Sequence, residues 1–245
     1  LVKFDENTDL QEAANRLSKL GEISKVQGNS RIRRAYSGNY RTYTSEAVLQ
    51  KTAATRTLST APNDPGFGTQ WNLNNVGDID FGNSNAKSVT GCDVNCLEAW
   101  KKCTGDPSII VAVLDEGVMY THPDLAANMW VNEKEQLRAG KDADGNGYKD
   151  DRYGYNFVKN SGLISWTDAN DTGHGTHVAG IIAAVNNNGE GVSGIAGGDG
   201  TPNSGVKLMS CQVFDGEGGV TLDGEAKAIK YAADNGAVIL QCSWG

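Results

Sequence analysis

The run SIIVAVLD (108–115) constrains this chain more than any other feature. A strand with one wet face alternates apolar and polar residues; a continuous apolar run is expected of a strand covered on both faces. VKLMSCQVF (206–214) and AVILQCS (237–243) read as two further strands. Between the strands lie segments with helical period: HGTHVAGIIAAV from His174, and TLDGEAKAIKYAADNG ending at Gly236. Strands alternating with helices imply a parallel sheet with helices packed on its faces. In such sheets the working residues collect at the carboxyl ends of strands. Asp115 closes the first run, and Ser243 closes the last.

The front of the chain follows another pattern. LVKF reads as a strand and DLQEAANRLSKLG as a short helix, with Leu10, Ala13, Ala14, Leu17 and Leu20 on one face and Gly21 as its stop. EISKVQG is a candidate second strand, and residues 28–61, rich in Arg, Ser, Thr and Tyr, read as a linker. APNDPGFGTQ then punctuates the chain with two prolines and two glycines, which marks a boundary near residue 61. Charge divides at the same place. Residues 1–61 carry ten Lys/Arg against six Asp/Glu (+4), and the rest twelve against twenty-four (−12). A basic segment can dock on an acidic body, or it can be a solvated tail. The formal charge of −8 argues against a nucleic-acid groove, and no apolar run is long enough to cross a bilayer.

Cys92, Cys96 and Cys103 cluster in a predicted loop, where an oxidising compartment would allow one disulfide. Cys211 and Cys242 lie in apolar runs and are expected to be buried thiols. No paired-cysteine or Cys/His spacing suited to a structural zinc site occurs.

The segment DTGHGTHVAG holds His174 and His177, spaced i and i+3. That spacing suits a zinc ion, a packed helix face, or a catalytic base beside a structural neighbour. Read separately, Asp115 is a cap after a strand and His174 a polar residue at a helix start. Read together, they form an acid–imidazole pair. A carboxylate that accepts from Nδ1–H fixes the tautomer and stabilises the imidazolium, leaving the other ring nitrogen free to take a proton from a nucleophile.

VAVLDEGVMYTHPDL followed by GHGTHVAGIIAA resembles the subtilisin-like serine proteases, the subtilases, in which Asp and His blocks precede a Ser block. The resemblance continues in PNDPGFGTQWNLNN, DADGNGYKDDRYGYNF and AVILQCSWG, and covers about residues 62–245. It implies a three-layer α/β fold, a parallel sheet with helices on both faces, incomplete in this chain and preceded by a small α+β propeptide-like segment at 1–61. It makes Asp115 the orienting acid, His174 the general base and His177 a structural helix residue. A zinc hydrolase built on His174 and His177 would also lack a recognisable third ligand. Glu116 departs from the Ser or Thr that the family places after the aspartate.

The sequence contains no Gly-Thr-Ser, and no Gly-Asn pair after Gly145–Asn146. The serine nucleophile and the oxyanion asparagine are therefore expected outside this chain, on the remaining C-terminal part of the catalytic domain, possibly a second chain. The expected function is that of a secreted or cell-surface (extracellular or periplasmic) serine endopeptidase whose present portion is inactive alone. The alternative is a catalytically inactive, calcium-stabilised peptide-binding protein.

DADGNGYKDDRY (142–153) reads as a calcium loop. Asp142, Asp144 and Asn146 take positions 1, 3 and 5 of an EF-hand-type loop, Gly147 the turn, Tyr148 offers its carbonyl, and Asp150 stands at position 9. Position 12 is Tyr153 instead of the bidentate Glu, so Asp151 is expected to substitute. The resemblance implies that such a loop binds structural calcium, and that Asp124 and Asn187 contribute to a second, weaker calcium site. It also makes FDGEGGVT and CSWG the edge segments that receive an extended peptide or protein substrate, with Gly218, Gly219, Ser243, Trp244 and Gly245 as candidates. Trp244 there implies an apolar preference near the cleaved bond. The chain's own propeptide is a further expected partner.

Overall fold

A computed structural model describes residues 9–20, 61–79, 88–216 and 218–244. In the first of these segments α1 (Leu10–Leu17) forms where the periodicity predicts it, and Asp9 caps it by accepting from the N–H groups of Gln11 and Glu12. No residue of α1 is fully buried: Ala13, Ala14 and Leu17 are half-buried, and Leu10 and Leu20 are exposed. The predicted strands LVKF and EISKVQG, the stop at Gly21 and nearly all of the 28–61 linker lie outside the described residues.

Asp64 bonds its segment into the body: its carboxylate accepts from Asn187 N–H, Asn188 N–H and the Ser193 hydroxyl. Helix α2 (Cys96–Trp100) buries Cys96 against Phe67 and Leu73, and the Trp100 indole N–H donates to Ile195 O at 2.8 Å. Cys92 and Cys103 are exposed, and all three are thiols in this structure.

The sheet has β1 (Ile110–Asp115) between β3 (Lys207–Gln212) and β6 (Ala237–Cys242), with β2 (Gly154–Asn156) outside β3; the order is β2-β3-β1-β6 and all pairs are parallel. Helices α3 (His174–Ala183) and α4 (Leu222–Asp234) supply the crossovers and cover opposite faces. Successive β1 side chains point to opposite sides. Val111 and Val113 accordingly pack with Ala179 and Ala183 of α3, while Ala112 and Leu114 pack with Ala228, Tyr231 and Ala232 of α4. Both faces of β1 are dry, which is why its sequence does not alternate.

Two features differ from the sequence expectation. The three-residue β2 carries no apolar run and was not signalled. Cys242, expected buried, is exposed, because β6 forms the edge of the described sheet and leaves Val238 64% and Ile239 50% exposed. Cys211, on the interior strand β3, is fully buried, and burial pushes its thiol far above the usual range. Among the described residues no helix is long and apolar enough to cross a membrane.

Candidate active site

Asp115 ends β1 and is 2% exposed. His174 opens α3, and its Nδ1 lies 2.7 Å from Asp115 Oδ1 and 2.8 Å from Oδ2. The glycines on either side of this histidine have separate reasons. Gly173 has φ +76°, a left-handed turn that starts the helix without a Cβ penalty. Gly175 packs against the strand end: a Cβ there would sit 2.2 Å from Glu116 O. A third contact comes from Met119 N–H, which donates to Thr176 Oγ1 at 2.9 Å. Burial raises the Asp115 carboxyl above its ordinary value, while the hydrogen bond from His174 pulls it the other way. His177 faces outward on α3, and neither histidine belongs to the carboxylate group that could hold a metal among the described residues.

A two-stranded hairpin lies beside this corner. Strands β4 (Phe214–Asp215) and β5 (Gly218–Gly219) pair antiparallel directly after β3. Asp171, three residues before His174, ties the hairpin to the histidine segment by accepting from Gly216 N–H at 2.8 Å. The Trp244 ring meets Phe214 edge-on at 5.7 Å, so the two proposed substrate segments are brought together. Ser243 Oγ accepts from Gln241 Nε2 at 3.0 Å, and Gly245 lies outside the described residues. The Asp171 tether was not anticipated; its closeness in sequence to His174 was the available signal.

Residues 106–245 match the model of the Subtilase family. The chain belongs to that family. Among curated relatives, Subtilisin-like protease 1 of Plasmodium vivax is 47% identical over 106 residues, 43% of this chain and 15% of that protein. The Thermophilic serine proteinase of Bacillus sp. (strain AK1) is 32% identical over 251 aligned residues, covering 100% of this chain and 51% of the relative. The Halolysin-like extracellular serine protease Nep of Natrialba magadii is 32% identical across 75% of this chain and 26% of its own length. The subtilase chain therefore spans about half or less of these relatives.

The predicted calcium loop of this subtilase chain folds around a residue that sequence reasoning missed. Oxygens of Glu135, Asp144 and Asp151 lie within 4.8 Å of one another, with Glu135 and Asp151 buried. Glu135 accepts from the N–H groups of Ala143, Asp144 and Asp150. Asn146 Nδ2 donates to Asp151 at 2.9 Å, and the Tyr231 hydroxyl donates to its Oδ2 at 2.8 Å. Burial, assisted by Asp144 and Glu135, raises the Asp151 carboxyl. Among the described residues no Lys or Arg forms an ion pair with these three carboxylates. An all-oxygen set of mutually repelling carboxylates, two of them buried, fits a hard divalent cation such as calcium. Asp142 faces its own loop, accepting from Gly145, Asn146 and Gly147 N–H, which hold its carboxyl below the usual range. Asp150 accepts from Gly140 N–H, and the Tyr148 ring packs on Tyr155 and Tyr231.

The two residues expected at a second cation site make separate hydrogen bonds. Asp124 is buried and accepts from Asn188 Nδ2 at 2.8 Å and Val192 N–H at 2.9 Å. Asn187 has φ +61°, and its Oδ1 accepts from Asn63 N–H. The asparagine that bonds the Asp124 side chain is therefore Asn188, and N–H donors engage both oxygens of Asp124.

Proposed function

We propose that this chain supplies the Asp–His half of a secreted subtilisin-like serine endopeptidase. The supporting observation is the Nδ1 contact of His174 with both oxygens of buried Asp115, at 2.7 and 2.8 Å. Asp115 holds the imidazole as its Nδ1–H tautomer, and Nε2 takes the proton of a serine hydroxyl as that oxygen attacks the peptide carbonyl. His174 then returns the proton to the leaving amine. The sequence offers no Gly-Thr-Ser for this serine, so the nucleophile and the oxyanion asparagine are assigned to a further segment. The extended substrate lies between the β4–β5 hairpin and residues 243–245, and Trp244 favours an apolar side chain near the cleaved bond. Secretion is in keeping with the extracellular halolysin-like relative. Residues 1–61, with their charge of +4 against −12, act as a propeptide docked on the acidic body.

Calcium is held by Glu135, Asp144 and Asp151, with Asn146 and the backbone of the 142–150 loop around them. When bound it neutralises carboxylates that otherwise repel, and so stiffens the loop.

The test is fluorophosphonate labelling and peptide hydrolysis by the full-length protein. Wild type takes one adduct, and His174→Ala loses turnover by on the order of 10⁴-fold or more. An unlabelled wild-type protein that still captures peptides would instead establish the calcium-stabilised binding protein.

A further inference from the structure

Acyl transfer by Asp115 and His174 makes no use of the Glu116 carboxylate, although Glu116 is only 1% exposed. Burying a carboxylate is costly unless donors surround it. Here they do. Glu116 Oε2 accepts from Thr172 N–H at 3.1 Å, Thr172 Oγ1 at 3.1 Å and His174 N–H at 3.2 Å. Gly173, the N-cap of α3, has no side chain with which to bond the first free N–H groups of the helix. The Glu116 carboxylate reaches across from the end of β1 and accepts one of them, His174 N–H, where the helix dipole also favours negative charge.

The main chain of the same residue acts on the other partner. Glu116 N–H donates to Asp115 Oδ1 at 2.7 Å. Its carbonyl oxygen is the atom against which Gly175 packs. One residue thus grips the carboxylate through its backbone and the histidine through its side chain. A Ser or Thr, which the family resemblance leads one to expect here, ends two bonds sooner and carries no charge.

We infer that Glu116 is a positioning residue, which sets the approach of the His174 ring to Asp115 by holding both main chains at once. This rests on the catalytic reading of Asp115 and His174. It assigns Glu116 no contact with substrate. Its removal therefore acts on turnover and leaves substrate binding in place.

Glu116→Gln and Glu116→Ala are compared in the full-length protein with His174→Ala as the reference. Turnover is normalised to the concentration of folded protein. Gln keeps the length and an acceptor but removes the charge, so kcat falls about three- to tenfold with KM within about twofold. Ala removes the acceptor, and kcat falls about a hundredfold with KM similarly unchanged. In ¹⁵N-histidine-labelled protein the deshielded His174 Nδ1–H resonance shifts in Gln and is lost in Ala. Should Ala fail to fold, Gln decides alone. A Gln variant with wild-type kcat and an unmoved Nδ1–H resonance overturns the inference, and so does a rise in KM at unchanged kcat. Wild-type turnover in His174→Ala would instead sink the catalytic assignment, and this inference with it.

Discussion

Gly175 and Gly180 lie in the same helix, yet alanine should act oppositely at the two. A Cβ at position 175 would lie 2.2 Å from Glu116 O, 2.9 Å from its carbonyl carbon and 3.4 Å from Asp115 Cβ; at position 180 nothing lies within 4 Å. Within a helix Ala is favoured over Gly by about 0.5–1 kcal/mol. Gly180→Ala therefore raises Tm by about 1–4 °C. The same propensity gain applies at 175, so it largely cancels when the two variants are compared, and the remainder is overpacking. A carbon and a carbonyl oxygen rest at about 3.3 Å or more, so α3 must withdraw from the end of β1 by about 1 Å. Overpacking of this kind costs about 1–3 kcal/mol. Gly175→Ala then melts about 2–12 °C below Gly180→Ala. A withdrawal of 1 Å also stretches the 2.7 Å bond between His174 and Asp115 beyond hydrogen-bonding range, lowering turnover by about 10²-fold. Calorimetry and peptide turnover on the full-length protein read both effects. Equal Tm shifts in the two variants, or full turnover in Gly175→Ala, would refute the close packing of α3 on Glu116.

Asp151→Asn removes one charge from the buried group with Asp144 and Glu135; without calcium it melts above wild type, and with calcium below. Melting with and without EGTA checks this, and equal calcium gains in both proteins would count against the site. Tyr231→Phe deletes the hydroxyl that donates to Asp151 at 2.8 Å and lowers stability by about 1.5–3 kcal/mol, read from denaturant melts. The Asp199 carboxyl is pulled from 3.8 to about 2, first by the Thr201 hydroxyl. Its folded value is depressed, so the stability it adds is present above pH 3.8 and is lost as the pH falls through about 2. Thr201→Val moves its NMR titration midpoint back toward 3.8, and an unchanged midpoint would discount the hydroxyl.

Strand β1, helix α3 and the ordering of Asp115 before His174 could be read from the residues alone. Burial on two faces writes a continuous apolar run, and a helix writes its own period, so both are local properties of the chain. The glycines around His174 were also visible, although their reasons were not. The left-handed turn at Gly173 is local, whereas the demand at Gly175 comes from Glu116, on another segment. The carboxylates from Asp142 to Asp151 were legible as a candidate cation loop, because their spacing lies within one stretch.

Tertiary structure decided the rest. Glu135 joins Asp144 and Asp151 because the chain folds back on itself, and no local period marks a single buried glutamate. Whether Asn187 or Asn188 faces Asp124 depends on one residue adopting φ +61°. Cys242 is exposed because its strand lies at the edge of the described sheet, a position set by pairing order and not by hydrophobicity. Glu116 reads in sequence as a charged neighbour of Asp115, and only the approach of α3 turns it inward. Spacing along the chain determines which elements form and which chemistry they carry. Which side chains meet is determined by packing between segments far apart in sequence, where a shift of 1 Å separates a hydrogen bond from a gap.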